Sequence, residues 1–222
     1  FIFSEGKLLD EIVTILEEKV KEGLDVRIIY DDIGSIKTLP YNYHKQLQKK
    51  GIKCVKFNKY TPFVSVVYNN RDHRKIAVID GYIGYTGGIN IADEYANYIN
   101  RYGYWKDNGV RLYGEAVNNL TLMFLKTFDI YSNTKTNYEN YLSHKYHPEE
   151  FESDGYVQPF GDGPAPIYDN YIGENVYLNM INQATKYIYI TTPYLIVDHT
   201  LMNALENAAK RAIQDSGKFL PW

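Results

Sequence analysis

NNRDHRKIAVIDGYIGYTGGIN, residues 69–90, sets a histidine, a lysine two positions on, an Asp-Gly pair and two adjacent glycines within one run of strand-forming residues. Asp80-Gly81, flanked by β-branched and aromatic side chains, is a strong hairpin signal. Read as a two-residue turn, it predicts antiparallel pairing of Ile79 with Tyr82, Ala77 with Gly84, Lys75 with Thr86 and His73 with Gly88. His73 and Lys75 then share a strand face, and Gly88 leaves a hollow beside the imidazole. Lys75, Thr86, Asn90 and the amides of Gly87 and Gly88 would rim that hollow.

Such a hollow suits a tetrahedral anion. A histidine nitrogen can attack phosphorus directly and split one difficult displacement into two easier ones through a covalent phosphoenzyme. Lys75 would neutralise the non-bridging oxygens, while Thr86, Asn90 and the glycine amides would hold them where charge develops. Because the cations are built in, no cofactor or metal is expected. The plainer alternative is an exposed basic hairpin, with Arg71, Arg74 and Lys75 solvated and the glycines serving only as turn residues.

The rest of the chain has the makings of a globular α/β protein. Its 222 residues suffice for one large domain, or for one domain and part of another, without a disulfide or metal staple. A composition of 45% hydrophobic and 23% charged residues with a net charge of −3 argues against a bulk electrostatic grip on nucleic acid. Cys54 is the single cysteine, so an intrachain disulfide is excluded and a small buried side chain is the expectation. No apolar run is long enough to span a membrane. The 23 tyrosines are spread along the chain and read as composition rather than as a site.

Before the opening segment the order is strand (FIF), helix (apolar at 8, 9, 12, 13, 15, 16 and 20, closed by Gly23), strand (DVRIIYDD), helix (YNYHKQLQKKG) and strand (IKCVKF). After it come a strand, DNGVRLYG, and a helix with Ala116, Leu120, Met123, Phe124 and Phe128 on one stripe. From about 133 to 166 the composition turns to Asn, Thr, Ser, Glu, Gly and Pro, which marks a connection and a boundary near 150. NVYLNMINQATKYIYITTPYLIVDHTLMNALENAAKR then reads as helix, strand, turn and helix. It can be laid over the chain start at an offset of about 193 residues, as two copies of one unit would be.

H-x-K-x-x-x-x-D from His73 to Asp80, followed by Gly87-Gly88-Ile89-Asn90, resembles the signature of the phospholipase D superfamily. YWKDNGVRLYGEAV, VQPFGDGP and ITTPYLIVDHTLMNAL extend the likeness over most of the chain, closest to bacterial cardiolipin synthases. The resemblance implies an α/β fold: a phospholipase D-like mixed β-sheet flanked by helices over 1–150 with the single motif, then a linker and the truncated start of a second such domain over 151–222. It implies His73 as one histidine of a pair, Lys75 as phosphate ligand, Asp80 as the carboxylate fixing the motif turn, Asn90 as a phosphate contact and Asp107 as acidic partner of the imidazole. Many superfamily members carry serine where this chain has Gly88.

The implied reaction transfers a phosphatidyl group between two phosphatidylglycerol molecules at the cell membrane, giving cardiolipin and glycerol through a phosphohistidine. The repeat offset puts a second motif at roughly position 266, beyond the last residue. With no acid on the leaving side, the chain alone is expected to be a soluble and inactive piece. Whether His73 is nucleophile or general acid is open. Two alternatives are a superfamily nuclease acting as a homodimer and a folded piece with no catalysis of its own; no specific nucleic-acid partner is expected. The remaining histidines read as structural: His199 at a helix start, His44 partly exposed on a helix, and His144 and His147 beside Glu149 and Glu150 in a loop that lacks a closing pair of zinc ligands.

Overall fold

A computed structural model of the protein describes residues 1–60, 70–145, 147, 153, 155–162, 171–192 and 195–216. The chain divides into two compact units, residues 1–159 and 160–222. The division falls later than the composition suggests, since the Asn119 side chain holds the Pro159 carbonyl at 3.2 Å within the first unit.

The first unit is a mixed α/β structure of two small sheets flanked by helices. Helix α1 (Lys7–Lys21) is followed by β1 (Arg27–Asp31), a short helix α2 (Asp32–Ser35), α3 (Tyr43–Lys49) and β2 (Lys53–Phe57). β1 and β2 pair in parallel, with Ile28 opposite Cys54. Leu9 and Val13 of α1, Ile28 and Tyr30 of β1, Leu47 of α3, and Ile52 and Cys54 form one buried cluster. Burial pushes the Cys54 thiol up to about 12, so it is an inert core residue. Gly23 closes α1 in a left-handed conformation, φ 89°. Its N–H reaches Val20 O, and that of Leu24 reaches Lys19 O, both at 3.0 Å, the hydrogen-bond pair of a Schellman end.

The second sheet is antiparallel: β3 (Ile76–Ile79), β4 (Ile83–Gly87) and β5 (Gly109–Tyr113), with β4 central. Its register is one residue off the two-residue-turn expectation, with Ile79 opposite Ile83 and Ile76 opposite Thr86. Asp80 and Gly81 are both left-handed, φ 55° and 65°, and Tyr82 N donates to Ile79 O at 3.0 Å, as in the expected turn. The Tyr82 carbonyl, however, accepts from Gly114 N at 2.9 Å. Drawn toward β5, Tyr82 becomes an extra residue and the ladder resumes at Ile83. Gly81 is buried, and a side chain there would run into the Tyr141 carbonyl. β3 begins at Ile76, so His73 and Lys75 precede the strand instead of lying on it.

Helix α4 (Val117–Ser132) buries Val117, Leu120, Thr121, Leu125 and Phe128. This is the expected stripe turned slightly, with Val117 and Leu125 deeper than Met123 and Phe124. In the second unit, α5 (Ile172–Gln183) and α6 (His199–Ser216) appear where helices are expected. The strand expected between them is not formed: residues 187–192 carry no ladder, because no other strand of that unit is available to pair with them among the described residues. Pro193 and Tyr194 of that stretch lie outside the described residues. No described helix is long and apolar enough to cross a membrane.

The N-terminus of α1 is capped from afar. The Asp93 carboxylate accepts from Lys7 N at 3.0 Å and from Leu8 N at 2.8 Å. Asp93→Ala is therefore expected to lower stability by about 1–2 kcal/mol in urea unfolding, with the midpoint moving and the slope unchanged.

Candidate functional site

Asp31, at the carboxyl end of β1, is a buried carboxylate. It accepts from Gly34 N at 2.8 Å, from Arg71 Nη1 at 3.2 Å and from Asp72 N at 3.3 Å. Arg74 grips the Asp72 carboxylate through Nε at 2.8 Å and Nη2 at 2.6 Å, and also reaches Thr127 Oγ1 at 3.2 Å. Both arginines are thus drawn inward and paired, which removes the exposed basic hairpin as a reading. Between these anchors His73 is left facing solvent, with Lys75 half-buried beside it.

Lys75 Nζ lies 3.0 Å from His73 Nδ1 and 3.3 Å from Nε2, and it donates to the His73 carbonyl at 2.7 Å. The Phe1 ring packs on the imidazole at 4.6 Å between centroids, and the ammonium lies 5.5 Å from the Phe1 centroid. Partial burial, then the neighbouring Lys75 charge, pushes the His73 pKa below its ordinary value. Burial also brings Lys75 down to about 8, against the opposing pull of Asp107 and Asp72. The sequence places amine and imidazole together on strand alternation; the structure brings them together in the irregular stretch ahead of β3.

Gly88 does not sit opposite His73. Its N–H donates to the Asn108 carbonyl at 3.2 Å, so in this structure that amide is not directed at a ligand. Any side chain on Gly88 would overlap the Asp107 carboxylate, which explains glycine here by close approach. Asp107 accepts from Trp105 Nε1 at 3.0 Å and from Asn108 N at 2.8 Å; among the described residues its hydrogen bonds go to these two groups and not to the imidazole. Gly87 lies opposite Gly109, and Thr86 pairs with Ile76 and Val110, half-buried. Asn90 is buried and its Oδ1 accepts the Ile2 N–H at 3.0 Å. Asp80 is exposed at the turn, and no side-chain hydrogen bond of it appears among the described residues.

The structure therefore gathers His73 and Lys75, and sets Asp107 beside Gly88. It assigns Asn90 a structural bond. Asp31 is the residue the sequence reading misses; the only local hint is that it ends the apolar run of DVRIIYDD. Of the other histidines, His147 stacks on Tyr82 at 4.0 Å and His144 Nε2 lies 3.9 Å from Glu139. The two are engaged separately, and Glu149 and Glu150 lie outside the described residues.

Comparison with known proteins gives a consistent result. The family model described as cardiolipin synthase, PLD-like domain, matches residues 2–113. An uncharacterized protein of Streptococcus mutans is 49% identical over 215 residues, covering 96% of this chain and 45% of that protein. A cardiolipin synthase of Halalkalibacterium halodurans is 37% identical over 214 residues, and one of Alkalihalophilus pseudofirmus 36% over 214; each alignment covers 96% of this chain and 42% of the relative. The chain spans less than half the length of these curated relatives.

Two outcomes are expected. Asp31→Ala should cost about 2–3 kcal/mol of stability, because it removes the carboxylate partner of Arg71 and the acceptor of the Gly34 and Asp72 amides; chemical unfolding measures it. Lys75 binds its proton less tightly folded than unfolded, so the unfolded state holds more protons between about 8 and the ordinary 10.5. Its contribution to stability should accordingly rise with pH through that window. A stability-versus-pH series on wild type and Lys75→Met isolates it.

Proposed function

The chain belongs to the phospholipase D-like cardiolipin synthase family, and on that premise we propose that it supplies the first motif of a phosphatidyltransferase acting on phosphatidylglycerol. The observation that carries this reading is the Lys75 ammonium 3.0 Å from the His73 ring while Arg71 and Arg74 are turned inward. One amine and one imidazole are thereby offered together to an anion. Residues 160–222 are read as the start of a second domain of the same kind, whose own motif completes the reaction.

In the first half-reaction an imidazole nitrogen attacks phosphorus and the bond from phosphorus to the glycerol oxygen breaks. The departing oxygen takes a proton from the histidine of the other motif. In the second, the hydroxyl of another phosphatidylglycerol gives that histidine a proton, attacks the phosphohistidine and restores the free imidazole. His73 fills either the nucleophile or the acid position. Lys75 holds the non-bridging oxygens. The ammonium stands within 3.3 Å of both ring nitrogens, so either can carry the ring proton. A phosphodiester that draws the ammonium onto its own oxygens leaves the ring's lone pair free. Asp107, beside Gly88 and near Lys75, is positioned to stabilise the cationic form of the site. The nuclease reading has less support, given the net charge of −3 and the internal pairing of both motif arginines.

A short-chain phosphatidylglycerol, kept below its micelle concentration, tests the reading. It should shift the His73 ring resonances and raise the His73 pKa, with Lys75→Ala weakening binding by about tenfold. Unmoved His73 resonances at high lipid, or stronger shifts with single-stranded DNA, would overturn it.

A further inference from the structure

Residues 88–108 join β4 to β5 without a helix or strand, apart from the single bridge of Ile91 to Phe3. Within this stretch Tyr98, Ile99, Tyr102 and Tyr104 are 44%, 49%, 65% and 84% exposed. Single exposed apolar residues need no explanation, but four in seven consecutive positions form a patch.

The loop is braced. Asn97 Nδ2 donates to the Trp105 carbonyl at 2.9 Å, its Oδ1 accepts the Trp105 N–H at 2.7 Å, and Gly103 N donates to Asn100 Oδ1 at 2.8 Å. The Trp105 ring lies 4.6 Å from that of Tyr95 and 6.3 Å from that of Tyr102. Rings held this way lose little conformational freedom on docking.

Cations accompany the rings. Arg101 stands 5.3 Å from the Tyr102 centroid, Lys7 4.5 Å from that of Tyr98, and Lys106 is exposed. Tyrosines with apolar bodies and polar tips, interspersed with basic side chains, are the composition of a membrane–water interface. The stretch presents no helix face and no strand edge of the kind a peptide partner would use. It also leads into the site, since Trp105 Nε1 holds Asp107 at 3.0 Å, and Asp107 packs on Gly88.

We propose that residues 98–104 are an interfacial loop that seats the protein on a phospholipid bilayer, beside the His73 and Lys75 site. This rests on the lipid-substrate reading: a phosphodiester lies at headgroup level, and a loop settled there brings it to the site without extraction from the bilayer. Tyr102, Tyr104 and Ile99 enter the headgroup boundary, while Arg101 and Lys106 meet its phosphates.

Vesicle sedimentation of the 222-residue chain tests it, using mixed phosphatidylglycerol and phosphatidylcholine vesicles. Tyr102→Ala/Tyr104→Ala should bind at least tenfold more weakly than wild type, with an unchanged circular dichroism spectrum. In a Trp222→Phe background, Trp105 fluorescence should be quenched more by lipids brominated near the headgroup than by lipids brominated deep in the chain. Tyr41→Ala, which removes an equally exposed tyrosine outside the loop, should bind vesicles as wild type does. Equal vesicle binding by the double variant, or none by wild type, overturns the proposal. So does a loss of self-association in the double variant with vesicle binding unchanged, which would assign the patch to a second copy. If vesicles bind as expected while the short-chain lipid leaves His73 unmoved, the docking loop stands and the transferase reading falls.

Discussion

The Asp31 carboxylate decides which side of the motif segment faces out. Buried at the end of β1, it needs donors, and it takes them from Gly34, Arg71 and the Asp72 amide. An ionised group in that position is tolerable only when paired and hydrogen-bonded. Satisfying it fixes the chain at 71 and 72, and Asp72 in turn holds Arg74. With residues 71, 72 and 74 committed inward, 73 and 75 are what remains for solvent. A core requirement thus presents the imidazole and the amine, without any demand that they lie on a strand.

A second set of bonds ties the other end of the motif to the start of the chain. Asn90 accepts from Ile2, Ile91 bridges Phe3, and Asp93 caps α1. Three residues of the GGINIAD stretch therefore join the antiparallel sheet to the start of the chain and the first helix. The two glycines ahead of them serve proximity: Gly88 admits Asp107, and its amide goes to Asn108. Serine at that position, common in the superfamily, would need the acidic residue to stand elsewhere.

Local periodicity made the elements legible. The helices over 7–21, 43–49 and 117–132, the strands over 27–31 and 53–57 and the hairpin follow from apolar spacing and turn residues. Cys54, Leu120 and Phe128 are in the core as composition and stripe imply. What failed depended on partners distant in sequence. The hairpin register turned on a single carbonyl, that of Tyr82, preferring Gly114 to Ile79. The strand expected at 187–192 met the local criteria and has no neighbour among the described residues. Asn90, read in the motif as an anion contact, also holds Ile2, 88 residues away, through its Oδ1, a bond that nothing local signals. The Asp31 anchor has no motif of its own, because its role exists only once residues 31 and 71 have met.

The pairing of Lys75 with His73 sets the charge that an incoming phosphate meets. Two cations 3.0 Å apart would repel strongly in a half-buried setting. Both groups have lowered proton affinity: burial brings Lys75 to about 8, and burial, then the Lys75 charge, takes His73 below its ordinary range. Near neutral pH the pair therefore carries a single positive charge, on the amine, and a neutral ring with one nitrogen lone pair, the state a nucleophile requires. An anion reverses the bias. In the proposed reaction its charge would offset the repulsion, so that the ammonium moves onto the phosphate oxygens while His73 keeps its lone pair as nucleophile or takes a proton as acid. Burial of both groups, with the Lys75 charge beside the ring, thus keeps His73 neutral in the free protein, and the phosphodiester of the proposed reaction would relieve that bias.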